Sequence, residues 1–180
     1  FETTGFAPPA QVVEYGRCDL VRTDDAWSVE QPVAQLFGVD EIPAEVRAVH
    51  HIRPGDVEGL PPFDPDALTL DGCDVTALVA HNWAFEAQWI GEHPYLSICT
   101  LKAASRVWPD APRHTNSVLR YWLEDQGLLA LDDELAMPPH RAGPDAYVTA
   151  HILKALFAAG ATGRDMVAWT KEPRVLRACP

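Results

Sequence analysis

From Val75 to Ala80 the chain is apolar except for Thr76, then turns polar at once with His81-Asn82, and continues as Trp83 to Glu92 with Phe85, Trp89 and Ile90 on one side. A short run that is apolar on both faces suits a strand buried between layers of helices, because a strand on a solvated sheet would alternate. The segment after it has helical spacing, so strand and helix form one unit whose strand delivers its carboxyl end to polar residues. The unit recurs: Tyr95 to Thr100 reads as a strand and Leu101 to Trp108 as a helix stopped by Pro109.

The flanking chain completes the pattern. Residues Gln11 to Arg22 are rich in β-branched and aromatic side chains and read as a strand with an irregularity at Gly16; Ala26 to Val29 reads as a second. Pro43 opens a short helix carrying Val46, Val49 and Ile52, which Pro54-Gly55 should end. Asp64-Pro65 marks the start of another, reaching Leu70. Thr115-Asn116 can cap a helix running to Gln126, with Gly127 as its stop and a solvated acidic loop, Asp132-Asp133-Glu134, beyond it. Asp145 to Ala159 has the apolar face of a long helix, ended by Gly160, and Gly163 to Trp169 a last short one. Strands first, then strands alternating with helices, imply an α/β fold with a mixed central β-sheet flanked by α-helices. With 180 residues, one domain over 1–180 is expected.

Composition narrows the partners. Fourteen Lys and Arg against 26 Asp and Glu leave a net charge of −12, so no global field draws in nucleic acid or an anionic membrane. A polyanionic partner must be met locally. Cys18, Cys73, Cys99 and Cys179 are scattered without a Cys-x-x-Cys pair, which argues against structural zinc or a disulfide framework and suits a reducing cytoplasm. No apolar run approaches the roughly 20 residues of a membrane span.

Four polar features fall where such a fold would converge them: Glu2-Thr3-Thr4-Gly5, Glu14 within the first strand, His81-Asn82-Trp83-Ala84-Phe85-Glu86 after the buried strand, and His140-Arg141-Ala142-Gly143-Pro144-Asp145 before the long helix. Carboxylate oxygens suit Mg²⁺ or Mn²⁺, and two such ions about 3.5–4 Å apart can clamp the attacking and leaving oxygens of an in-line phosphoryl displacement. A nearby histidine, with an ordinary pKa of about 6.5, can take a proton from the attacking water. If Asp145 opens the long helix, the loop from His140 can fold back over a metal held there.

The first, third and fourth of these segments resemble, in order and separation, the three motifs of the DEDDh 3′→5′ exonucleases. Ala48-Val-His-His-Ile52, Ile98-Cys-Thr-Leu-Lys102, Arg106-Val-Trp-Pro109 and Ala146-Tyr-Val-Thr-Ala150 resemble one branch of that family, so the likeness spans nearly the whole chain. It implies a ribonuclease H-like fold and a metal-dependent nuclease releasing nucleoside 5′-monophosphates from the 3′ end of DNA, in repair or proofreading. It further implies two divalent ions, Mg²⁺ or Mn²⁺, held by Glu2, Glu86 and Asp145, with His140 as general base. Thr3, Thr4 and Phe6 match positions that pack against the terminal nucleotide, and His81 and Asn82 a polar pair that shapes the site. Single-stranded DNA or DNA 3′ ends are the implied partners, with no membrane. RNA ends, or end binding without turnover, stay open as alternatives.

Two departures stand out. Glu86 occupies a position where the second motif has Asp. The leading Asp of the first motif would fall one position before Phe1, so a fragment lacking its natural N-terminus is expected, binding metal weakly and turning over little if it begins at Phe1. A similar truncation is expected after Cys179-Pro180.

Overall fold

Two short strands, Glu2–Thr3 (β1) and Val12–Arg17 (β2), run antiparallel with Glu2 opposite Glu14 and an irregular register between Glu2 and Thr3. The structure, a computed structural model, describes residues 1–24, 26–68 and 74–175. Asp25, the end of the expected helix at Leu70, Cys73, Cys179 and Pro180 lie outside the described residues. The strand expected over 11–22 is in fact two. After β2 the chain turns at Cys18-Asp19, where the Cys18 thiol donates to the Glu30 carbonyl and the Glu30 amide to the Asp19 carbonyl. It then enters a separate hairpin of Leu20–Thr23 (β3) and Ala26–Val29 (β4). A strand absent from the sequence reading, Val33–Leu36 (β5), pairs antiparallel with β2 and completes the order β1-β2-β5. Four residues at a sheet edge, mostly solvent-facing, carry too little alternation to be seen in advance.

Helices Ala44–His50 (α1) and Pro54–Val57 (α2) follow. The first ends at His51, whose left-handed φ of 60° turns the chain, so Pro54 opens α2 and does not terminate α1. A single 3₁₀ turn, Pro65–Ala67, stands where a longer helix was expected, its start held by the Asp64 carboxylate accepting the Asp66 amide.

The expected strand-helix units are present. Ala77–Ala80 (β6) leads into Trp83–Ile90 (α3), and Leu96–Cys99 (β7) into Thr100–Val107 (α4), with β6 and β7 parallel and Ala80 opposite Cys99. The helices Asn116–Asp125 (α5), Asp133–Ala136 (α6), Ala142–Ala158 (α7) and Gly163–Lys171 (α8) close the chain. Helix α7 begins three residues before Asp145, which therefore lies in its first turn. The mixed sheet is resolved as the three-stranded antiparallel piece, the hairpin and the parallel pair.

The core explains the order. Leu119 and Leu123 of α5, Ile152 and Leu156 of α7 and Met166 of α8 are completely buried, in one cluster with Ile98, Ala103 and Ala104. Each such side chain contributes about 1.5–3 kcal/mol by leaving water, which holds the long α7 against β2, β4 and β6. Close approach at the site end of α7 depends on Gly16: a Cβ there would lie 2.1 Å from the backbone carbon and oxygen of Ala142.

Acidic 132–134 is solvent-exposed as expected, but it forms the start of a helix and not a loop, with Asp132 capping α6. Arg120, buried within α5, donates to Glu124, to Asp133 and to the Ala136 carbonyl, so it fastens α6 and the start of the segment leading to His140. Arg120 is thus spent inside the protein rather than offered to phosphates. Arg106, bonded to Glu172 and to the Lys102 and Pro173 carbonyls, is similarly engaged. No helix among the described residues is long and apolar enough to cross a membrane.

Candidate active site

Glu2, Glu86 and Asp145 come from three elements and meet at one place. β1 carries Glu2, and an aromatic anchor holds that strand: the Phe1 ring lies 5.3 Å from Tyr15 and 5.4 Å from Phe63, in a cluster with Val12, Phe37 and Trp89. Glu86 lies one turn into α3, whose start is formed by the Asn82 carbonyl accepting the amides of Phe85 and Glu86. Asp145 sits in the first turn of α7, where a carboxylate is favoured by the helix dipole.

The electrostatics record the meeting. Burial pushes the Glu2 carboxyl up to about 7, and the carboxylates of Asp145, Glu14 and Glu86 push the same way. Burial also raises Glu86 and Asp145; Asp145 adds to the rise of Glu86, while His140 opposes that of Asp145. Negative charge is thus in excess at this point, and a cation already answers part of it: the Phe1 ammonium donates to Glu86 Oε2 at 3.1 Å.

Stability should therefore depend on pH. Between the ordinary carboxylate value and about 7 the folded chain holds more protons than the unfolded one, so stability falls as pH rises through that window and the penalty is complete above it. We expect unfolding by urea to need less denaturant at pH 8 than at pH 5, by about 2–3 kcal/mol from Glu2. Glu2→Gln should flatten the slope; an unchanged slope in that variant would locate the effect elsewhere.

His140 follows α6 and precedes α7. Its φ of 61° is left-handed, a strained backbone for a residue with a Cβ, and its side chain is exposed. Its amide faces the Asp145 carboxylate, with N to Oδ1 at 3.4 Å. The helix start thus joins His140 to Asp145 by one tight turn, in place of the longer loop expected.

The remaining candidates divide. The Thr3 hydroxyl donates to the Gly5 carbonyl and the Thr4 hydroxyl accepts the Gln11 amide, so both shape the 3–11 turn. Phe6, on that turn, is 88% exposed. Both ring nitrogens of His81 face inward, to Thr100 Oγ1 at 3.0 Å and the His114 carbonyl at 2.7 Å, and burial lowers its pKa to about 4. A neutral, doubly bonded ring is a strut, so His81 positions the turn and has no nitrogen left for a nucleotide. Asn82 is exposed beside it.

Sequence reasoning did not connect Glu14 to Arg141, or Asn116 to Asp145. Arg141 Nε and Nη2 donate to Glu14 at 3.0 and 2.6 Å, and Asn116 Nδ2 donates to the Asp145 carbonyl at 3.2 Å. The available signal was Glu14 itself, a carboxylate inside the apolar run Val12-Val13-Glu14-Tyr15, which must have a partner if buried.

Hard carboxylate oxygens fit a divalent cation such as Mg²⁺ in chemistry. Their placement is less complete, since among the described residues no three His, Cys, Asp or Glu side chains gather around one ion position.

No protein-family model matches the chain. Over 167 residues, covering 92% of this chain and 71% of the relative, it is 27% identical to Exodeoxyribonuclease 10 of Escherichia coli (strain K12), and equally to the protein of that name in Escherichia coli O6:H1. The solved structure of "Exonuclease X in complex with 5' overhanging duplex DNA" matches it with a TM-score of 0.71 and 27% identity, over 94% of this chain and 95% of that one. The chain is exonuclease X-like. Its α/β architecture is that of exonuclease X, the ribonuclease H-like arrangement expected from the motifs. In this exonuclease X-like frame β1, α3 and α7 are the elements that bring the acidic groups together.

Proposed function

We propose that this chain is a hydrolytic nuclease acting on DNA ends, a 3′→5′ exodeoxyribonuclease that releases nucleoside 5′-monophosphates. The observation that carries the reading is the convergence of Glu2, Glu86 and Asp145, with His140 exposed at the rim, in an exonuclease X-like fold.

Glu2, Glu86 and Asp145 would hold divalent cation, Mg²⁺ or Mn²⁺ and two ions in the fullest form. When bound, that group neutralises charge developing on the phosphate and on the attacking and leaving oxygens. The protein's own residues then do the following. His140 accepts a proton from the water that attacks the terminal phosphorus, its ring free in solvent and its backbone pinned by the contact with Asp145. The turn built by Thr3 and Thr4 carries exposed Phe6 to one side, where its ring can stack on the terminal base. His81 keeps the β6–α3 turn in place from beneath, and Asn82 lies on the exposed side of it. With a net charge of −12, the chain neutralises few phosphates, so the affinity depends more on the cation than on lysine or arginine.

The test uses 5′-labelled single-stranded DNA, duplex DNA with a 5′ overhang, and the matching RNA, each with Mg²⁺ or Mn²⁺. A ladder shortening from the 3′ end of DNA, faster than from RNA, is the expected result. Faster shortening of RNA would make the chain a ribonuclease, because the two substrates differ at the 2′-hydroxyl. Binding of ends with no shortening under either metal would overturn hydrolysis and leave an end-binding module. A cytoplasmic place and a role in repair or proofreading belong to the same proposal.

A further inference from the structure

We propose that Glu14 is a positioning residue: through Arg141 and the Ala142 amide it sets the first turn of α7, and with it His140 and Asp145. This rests on the reading of that turn as catalytic.

Glu14 is 2% exposed, and its oxygens are fully used. Arg141 Nη2 donates to Oε1 at 2.6 Å, Arg141 Nε to Oε2 at 3.0 Å, and the Ala142 amide to the same Oε2 at 2.8 Å. A carboxylate receiving this many donors is not free to hold a cation, although it lies opposite Glu2 in the sheet. Its reach falls instead on the two residues directly after His140. A buried charge makes such contacts strongly directional, since losing any partner leaves it uncompensated.

The rest of the local structure leads to the same place. Gly16, two residues along β2, leaves no Cβ between the strand and the Ala142 backbone, so β2 and the first turn of α7 touch directly. Asn116 Nδ2 and the Thr149 hydroxyl both donate to the Asp145 carbonyl, which supports the turn from the other side. His140 holds its left-handed φ of 61° immediately before this clamp. Residues kept in such a conformation need surroundings that over-determine them; the His140 amide's contact with Asp145 is one such constraint, and the Glu14–Arg141 pair, one residue further on, is a second.

Glu14→Gln keeps the shape and removes the charge; Arg141→Met keeps the stem and removes the fork. Thr162→Ala serves as a comparison, because it deletes the cap of α8, where the Thr162 hydroxyl accepts the Asp165 amide, far from the site in the chain. We expect both clamp variants to lose about 10- to 100-fold in kcat, the effect of about 1 Å of misplacement. KM for the DNA end should stay within about threefold, since the substrate surface is unchanged. Thr162→Ala should lower the melting temperature and leave kcat as it was. Amide hydrogen exchange should quicken about tenfold or more over residues 140–146 in the clamp variants and not elsewhere. A kcat within about twofold of the parent, or a loss of the same size in Thr162→Ala at equal melting temperature, would overturn the proposal. If the parent itself hydrolyses no nucleic acid, the functional reading fails on its own, and exchange still decides the clamp: unchanged exchange over 140–146 refutes it.

Discussion

If the proposed function holds, exchange of His140 for Ala should lower kcat on a DNA 3′ end by about 10²- to 10⁴-fold and leave KM within a few-fold, the range expected when a general base is removed. The side chain is exposed and packs on no core cluster, so the protein should fold as before. What the exchange removes is the proposed acceptor of the attacking water's proton. The backbone supplies a second handle. At φ 61° a Cβ is unfavourable, so His140→Gly should be as inactive as His140→Ala yet more stable by about 1 kcal/mol. Single-turnover release of the terminal nucleotide, with urea unfolding beside it, separates the two quantities. Activity within about threefold of the parent in His140→Ala would remove His140 from the chemistry.

The second large effect concerns the cation. Glu2, Glu86 and Asp145 raise one another's pKa or share that rise with burial, so their charges act on one place. Exchanging Glu2 for Gln together with Asp145 for Asn removes two of the three carboxylates. A unit charge about 4 Å away, at an effective dielectric of about 20, is worth about 4 kcal/mol, so, allowing for water, apparent affinity for Mn²⁺ should fall on the order of 10²- to 10³-fold. Calorimetric titration with Mn²⁺ measures this without assuming activity. Equal affinity in parent and variant would remove these two carboxylates from the proposed metal site.

Much of this was legible in one dimension because it rests on periodicity. The β6–α3 and β7–α4 units, the long apolar face of α7 and the stop at Gly160 all follow from spacing and from where proline and glycine stand. The residues of the candidate site could be named as well, through the resemblance of three segments to the motifs of a known family. The sequence reading was weaker at boundaries. It ran β2 and β3 together across Cys18-Asp19, started α7 three residues late and missed β5.

Tertiary structure decided what each charged group does. Nothing in the spacing tells whether an arginine meets phosphate or a buried carboxylate, yet Arg120 fastens α6 and Arg141 fastens Glu14. Nothing along the chain turns the His81 ring inward to Thr100 and the His114 carbonyl, 19 and 33 residues away. The raised pKa of Glu2 likewise needs burial and carboxylates contributed by β2, α3 and α7. Periodicity is a local property and survives in one dimension, whereas a charge takes its role from whatever distant group the fold brings within a few ångströms of it.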